Sequence, residues 1–389
     1  MVTNLLPPQE MGGYGRTVWE FSRELLARGH AVRVLTADMP HLLRKPTAEH
    51  AAFEPHVRRR LKLCGDWKNG AVVIEPDAER RKALLRENHQ TILREIDEFG
   101  ADVIMAGNLD LAGHFFIQAA LDRGIPVLHR LGNAHPGYEP AQSPQGPLFC
   151  LAGCSAWVNE GIRAKSYPIS RYEVVPPGSP LTEYFRAWPP RRERLRIAYA
   201  GLLMPYKGAH VLVNALAHLA RAGIDFECTL AGDTTRPEYL DAMRAVAAEH
   251  GFLERISFPG FLGKAELAAL YARSNVLVFP SVFEEPFGKT QIEAMAAGLL
   301  VVSSGSGGAS EIIEHGKTGL LFPGGDARVL AERLAAAHRH PAAAEKIALA
   351  GQARAFEFTT EASVDRIEAI FADLLAVARG AAAPAVAAT

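Results

Sequence analysis

The feature that most narrows the fold is a repeated alternation of short apolar runs with longer amphipathic ones, each joint marked by glycine or proline. The second half is the most regular. Arg196–Ala200, Glu227–Ala231, Ile256–Phe258, Val276–Pro280 and Leu299–Ser303 read as strands. His210–Ala222, Tyr239–His250, Glu266–Ser274 and Gln291–Ala297 read as the helices between them. Such alternation folds as parallel strands with crossover helices on both faces. The first half repeats it less evenly. Met1–Leu6 is a short opening strand, Gly12-Gly13-Tyr14-Gly15 a turn, and Val18, Phe21, Leu25 and Leu26 mark one face of a helix that Gly29 stops. Ala31–Thr36 then completes a βαβ unit. Ala101–Ala106 and Ile125–Leu131 read as further strands around a helix at Leu111–Arg123, and another strand ends at Val174-Val175. Residues 41–95 are irregular apart from a charged helix near Arg80–Glu95.

Trp188–Arg194 mixes prolines with charges and reads as a linker. The expected domains are therefore 1–188 and 195–360, two doubly wound α/β sheets facing a cleft, with ligands beyond the carboxyl ends of the strands. An amphipathic helix near 362–380 is expected to pack back onto the first domain, and the Ala/Pro-rich tail 381–389 to be disordered.

Composition excludes several classes. A formal net charge of −1 over 389 residues does not suit a dedicated nucleic-acid binder. Cys64, Cys150, Cys154 and Cys228 show no CxxC spacing and no paired Cys/His set, so reduced thiols and no metal site are expected. No apolar run approaches the ~18–20 residues of a membrane span. Met1–Glu10 lacks the basic and apolar regions of a signal peptide, so the expected location is the cytoplasm. Arg58-Arg59-Arg60 with Lys62, Trp67 and Lys68 is either a solvated face or a contact for an anionic acceptor or membrane surface.

The strongest chemical signal is Pro280-Ser281-Val282-Phe283-Glu284-Glu285-Pro286-Phe287-Gly288-Lys289-Thr290-Gln291-Ile292-Glu293-Ala294-Met295-Ala296. Pro-Phe-Gly makes a turn and a helix follows, so Glu285 lies just before a helix N-terminus and Glu293 within the helix. The unpaired N–H groups near Gly288 to Thr290 form an anion site. A carboxylate beside an anion site is electrostatically awkward unless it binds hydroxyls, as those of a sugar or ribose.

This string resembles the E-x7-E signature of glycosyltransferase family 4, whose fold is GT-B: two Rossmann-like domains. The resemblance covers most of the chain and is firmest from Arg196 to Asp326. It implies a retaining transferase that moves a hexose-type sugar from a nucleotide diphosphate sugar, most often UDP, to an acceptor. The acceptor's class — saccharide, lipid-linked or small metabolite — carries no readable code. Glu285 would bind the donor sugar, backbone amides at Phe287 and Gly288 would hold that sugar, those at Lys289 and Thr290 the diphosphate, and Glu293 the ribose.

Tyr199-Ala200-Gly201-Leu202-Leu203-Met204-Pro205-Tyr206-Lys207-Gly208 is the second signal. By resemblance Lys207 clamps the diphosphate next to Gly201. The family's usual arginine after that glycine is Leu202 here, so either another cation such as Arg130 or Arg236 replaces it or donor binding is weakened or altered. Gly12 and Gly13 resemble the family's N-terminal glycine loop, and Phe261 and Leu262, after Phe258-Pro259-Gly260, its loop beside the base. The family's sugar-contacting histidine aligns with Gly132; His135 is the candidate in its place, while His129 is expected to pack within its strand. No Asp-x-Asp occurs, so Lys207 and helix-terminus amides would stabilise the leaving diphosphate with no metal and no cofactor. Glu285, Lys207 and His135 are thus the expected catalytic groups. The competing readings are a GT-B phosphorylase or nucleotide-sugar epimerase, and a nucleotide-sugar-binding protein without turnover.

Overall fold

The computed structural model describes residues 1–68, 71–187 and 193–380. The linker expected at Trp188–Arg194 lies largely outside the described residues, as does the tail over 381–389. The chain divides into two compact units, one of Met1–Gly178 with the segment from Thr360 onward, the other Ser179–Thr359. The first unit ends ten residues ahead of the expected boundary at 188, at the Pro176-Pro177-Gly178 turn.

The first unit contains β1 (Val34–Ala37), β2 (Val57–Leu61), β3 (Gly65–Lys68), β4 (Ala71–Ile74), β5 (Ile104–Ala106), β6 (Val127–Arg130), β7 (Phe149–Gly153) and β8 (Tyr172–Val174). β1 and β2 pair in parallel, and β5-β6-β7-β8 form a parallel set. Val2 joins the two by bridging Leu35 on one side and Ala106 on the other. The expected opening strand is thus a single bridged residue. The helix Tyr14–Ala27 buries Val18, Phe21 and Leu25 against Val364, Ile367, Ile370 and Leu374 of the helix Thr360–Ala378. Arg28, at its end, reaches Asp365 and Glu368, both at 2.6 Å. The helix Ala78–Phe99 is capped by the Asp77 carboxylate and stopped by Gly100.

The basic run lies in and after β2 and is occupied within the unit. Arg59 pairs with Glu54 at 3.1 Å, Arg60 with Glu95 at 2.5 Å and Lys62 with Glu87 at 2.7 Å, while Arg58 donates to the carbonyls of Pro55 and Val57. That favours the solvated-face reading over an anion-binding surface. Among the described residues, no helix is long and apolar enough to cross a membrane.

The second unit holds β9 (Leu195–Ala200), β10 (Phe226–Ala231), β11 (Ile256–Gly260), β12 (Val276–Phe279), β13 (Leu300–Ser303) and β14 (Leu320–Leu321). They form one parallel sheet in the order β11-β10-β9-β12-β13-β14. Its core joins Ile197, Tyr199, Cys228, Leu230, Val276, Val278, Leu300 and Val302 to the helices Ala209–Arg221, Pro237–Glu249 and Ala327–Arg339. Both units are Rossmann-like α/β layers.

Candidate functional site

In the second unit the strand order runs one way from β9 to β10 and the other way to β12. The carboxyl end of such a pair is where a doubly wound sheet leaves a crevice. The loops leaving these strands, 201–208 and 280–288, pack backbone to backbone. The N–H groups of Val282 and Phe283 both donate to the Tyr206 carbonyl, at 3.0 and 3.1 Å. Gly208 has φ +71°, and a Cβ there would lie 1.9 Å from the Pro280 oxygen, so no other residue fits.

This packing brings Lys207 Nζ to 2.6 Å from Glu285 Oε1, and Ser281 Oγ donates to the same oxygen at 2.7 Å. Glu285 is only 6% exposed, and the lysine and the serine hydroxyl are the groups that satisfy this buried carboxylate oxygen. Its backbone bridges Gly307, in the loop after β13. Burial first and the Glu285 charge second raise the phenol pKa of Tyr206. At Tyr199 burial again leads, with Tyr239 and then Glu285 adding to it.

The helix Lys289–Ala296 starts four residues after Glu285. Gly288 is its N-cap, no side chain caps it, and no acidic residue occupies its first turn. Its first residue is instead a lysine. A cation there opposes the helix dipole unless an anion intervenes. Further along, Glu293 is buried and accepts from Ser179 Oγ at 3.0 Å. It lies beside Tyr271, whose phenol is held far above its ordinary range by burial first and the Glu293 charge second.

The other expected donor contacts separate into backbone and side chain. Phe287 is buried edge-on against Phe358, 5.6 Å between ring centres, so only its backbone is available. The Gly201 N–H is committed to the Ala231 carbonyl. Phe261, directly after β11, is 43% exposed, and its N–H donates to Asp233 at 3.1 Å. Leu262 and Thr290 are half-buried. Leu202 is half-buried with its carbonyl taken by the Tyr199 hydroxyl at 2.7 Å. Arg236 is exposed just before the helix Pro237–Glu249.

In the first unit the candidates are more scattered. Gly12 and Gly13 are exposed, and a Cβ at either would meet nothing within 4 Å. Gly15 is the constrained glycine of that loop: a Cβ there would lie 2.9 Å from the Leu5 carbonyl oxygen. Tyr14 explains the absence of a histidine at 132. Its hydroxyl donates to the Arg130 carbonyl at 2.8 Å, and its ring lies 1.9 Å from where a Cβ of residue 132 would be. His135 is exposed, with Nδ1 3.1 Å from Lys165 Nζ. His129 is fully buried between the Tyr138 hydroxyl and the Gly107 carbonyl, each at 3.0 Å, and burial lowers its pKa to about 3. Arg130 is buried too, donating to the Val175 carbonyl.

Residues 182–354 match the family described as glycosyl transferases group 1. Over the wider chain, the glycogen synthase of Mycobacterium tuberculosis is 28% identical, covering 91% of this chain and 89% of that protein. A glycosyltransferase from Rickettsia africae superposes with a TM-score of 0.76 over 96% of this chain and 97% of its own, at 18% identity. The chain is a GT-B glycosyltransferase. An Anabaena HepE structure in complex with UDP-glucose shares the fold at TM-score 0.69 and 19% identity, over 95% and 98% of the two chains. In this glycosyltransferase the matched segment contains Lys207, Glu285 and Glu293, whereas Gly12, Gly13 and His135 lie outside it.

Ser281 and Ser179, the hydroxyls that hold the two glutamates, were not legible in the sequence of the glycosyltransferase. Ser179 and Glu293 are 114 positions apart, and no spacing rule links them.

Proposed function

We propose that this glycosyltransferase belongs to family 4, retains anomeric configuration, and moves a hexose from a UDP-sugar to a hydroxyl-bearing acceptor without a divalent metal. The observation that carries the reading is the 2.6 Å Lys207–Glu285 pair, set at the sheet's switch point beside the uncapped helix start at Lys289. With no donor bound, each group neutralises the other. A diphosphate drawn to the helix N–H groups competes for Lys207, and the released Glu285 carboxylate then accepts hydrogen bonds from sugar hydroxyls. Glu293 takes the ribose, and the exposed Phe261 ring offers a flat apolar wall to the base.

In the reaction the bond from the anomeric carbon to the diphosphate oxygen breaks. The acceptor oxygen bonds to that carbon on the same face, and its proton passes to the departing phosphate. No protein nucleophile takes part; the chain supplies positioning and charge stabilisation. Leu202 leaves Lys207 short of the family's arginine, and Lys289 at the head of the helix is the second cation in this reading. His135 is retained as the candidate for sugar contact from the first unit.

The test is turnover with UDP-, GDP- and ADP-sugars against a panel of saccharide, lipid-linked and small-molecule acceptors, read by product mass spectrometry. A glycosylated product with retained configuration, lost in Glu285→Ala, is the expected result. Sugar phosphates formed with inorganic phosphate, or an epimerised nucleotide sugar formed with no acceptor, would contradict it.

A further inference from the structure

Gln291 is the third residue of the helix Lys289–Ala296, and its side chain is completely buried. Both its Oε1 and its Nε2 lack a hydrogen-bond partner. Buried carboxamides are normally satisfied, and leaving one unpartnered is costly. Its helix neighbours Ile292, Ala294 and Met295 are apolar, and the other buried polar side chain of the helix, Glu293, has a partner in Ser179.

The amide is aimed at the turn that precedes the helix. A Cβ on Gly288 would lie 2.5 Å from Gln291 Nε2 and 3.1 Å from Phe279 Cζ. The carboxamide nitrogen and the Phe279 ring therefore both crowd the place where a side chain on Gly288 would stand. Gly288 has φ +104° and ψ +61°, left-handed backbone that glycine adopts readily. Its carbonyl already accepts from the Gln291 backbone N–H at 3.1 Å and has a second lone pair.

We propose that Gln291 is a positioning residue, whose carboxamide gains its partner in the Gly288 turn only when a diphosphate occupies the start of the helix. The inference rests on the donor reading above. It makes donor binding tighter by the satisfaction of a group that the free protein leaves unpaired. The free protein accepts that cost in stability, and the bound turn is held in one conformation.

The test compares wild type with Gln291→Met, which keeps the side chain's length and removes its polar atoms, and with Gln291→Leu. Thermal unfolding is measured with and without UDP-glucose, and donor KM and kcat are measured at saturating acceptor. The expected result is a higher melting temperature without ligand and a smaller rise on adding UDP-glucose. Donor KM should rise about tenfold, the equivalent of one lost hydrogen bond, with kcat within about twofold. A variant with higher melting temperature but unchanged ligand shift and KM would overturn the inference. So would failure of both variants to fold, because the amide would then be needed in the free protein. If wild type itself shows neither shift nor turnover with UDP-, GDP- or ADP-glucose, the donor reading falls first and this inference falls with it.

Discussion

Val2 and β9 hold the same place in their respective sheets, the strand from which the order runs both ways. One is a single bridged residue; the other is six residues long. The space beyond them is filled differently as well. In the first unit Tyr14 lies over Gly107 and Gly132 and closes the end of the sheet with an aromatic ring. In the second, two loops lock together by backbone contact and leave a lysine, two glutamates and an uncapped helix start. A shared architecture therefore does not place chemistry in both halves. Chemistry needs loops whose backbones are fixed to each other while their ionisable side chains converge.

The strongest way to break this contrast is to remove the buried carboxylate. Glu285→Ala should lower turnover about 100- to 1000-fold, the scale of losing a preorganised electrostatic contact, with circular dichroism and melting little changed. Near-normal turnover would show that the charged end of the second unit is not the reacting end. Next in size, Lys207→Ala should weaken nucleotide binding about 10- to 100-fold by calorimetry, because one charge-assisted hydrogen bond is worth ~1.5–3 kcal/mol. Equal affinity would make the Lys207–Glu285 pair a structural ion pair.

The first unit offers the converse test. Gly132→Ala should cost about 1–3 kcal/mol of stability in denaturant unfolding, since the Tyr14 ring must move, and should leave nucleotide affinity unchanged. A fall in affinity without a fall in stability would give that end a binding role. The smallest effect near neutrality concerns pH. Burial lowers the pKa of His129 from 6.5 to about 3 and that of His114 to about 4. The folded state holds both neutral, while the unfolded chain takes up protons below about pH 6.5. Their contribution is thus fully present above that pH and lost as pH falls toward 3. Melting of the first unit should decline over this window, and His129→Gln should flatten the decline. A profile identical to wild type would assign the acid sensitivity elsewhere.

The second unit was the more legible in sequence because β9, β10, β11 and β12 end at glycine or proline. The strand read as Val276–Pro280 is Val276–Phe279, and that read as Arg196–Ala200 is Leu195–Ala200. In the first unit, β2 was hidden because Arg58-Arg59-Arg60 suggests a solvated run, although Val57 and Leu61 at its ends are buried. β7, five buried residues with no alternation, carries no period to detect. The helix expected over Leu111–Arg123 is only Phe116–Leu121, since Gly113 takes φ +91° and interrupts it. In the site, the spacing of Glu285 and Glu293 and the Lys207-Gly208 turn were readable because local turn chemistry fixes them. The hydroxyls of Ser281 and Ser179 and the unpartnered amide of Gln291 depend on packing that sequence periodicity does not encode.

The most direct measurement is a crystal structure of the protein soaked with an intact UDP-sugar. The diphosphate should lie on the first N–H groups of the helix Lys289–Ala296, with Lys207 Nζ turned from Glu285 onto a phosphate oxygen and Glu285 facing a sugar hydroxyl. A nucleotide bound elsewhere while the Lys207–Glu285 pair stays closed would contradict the account.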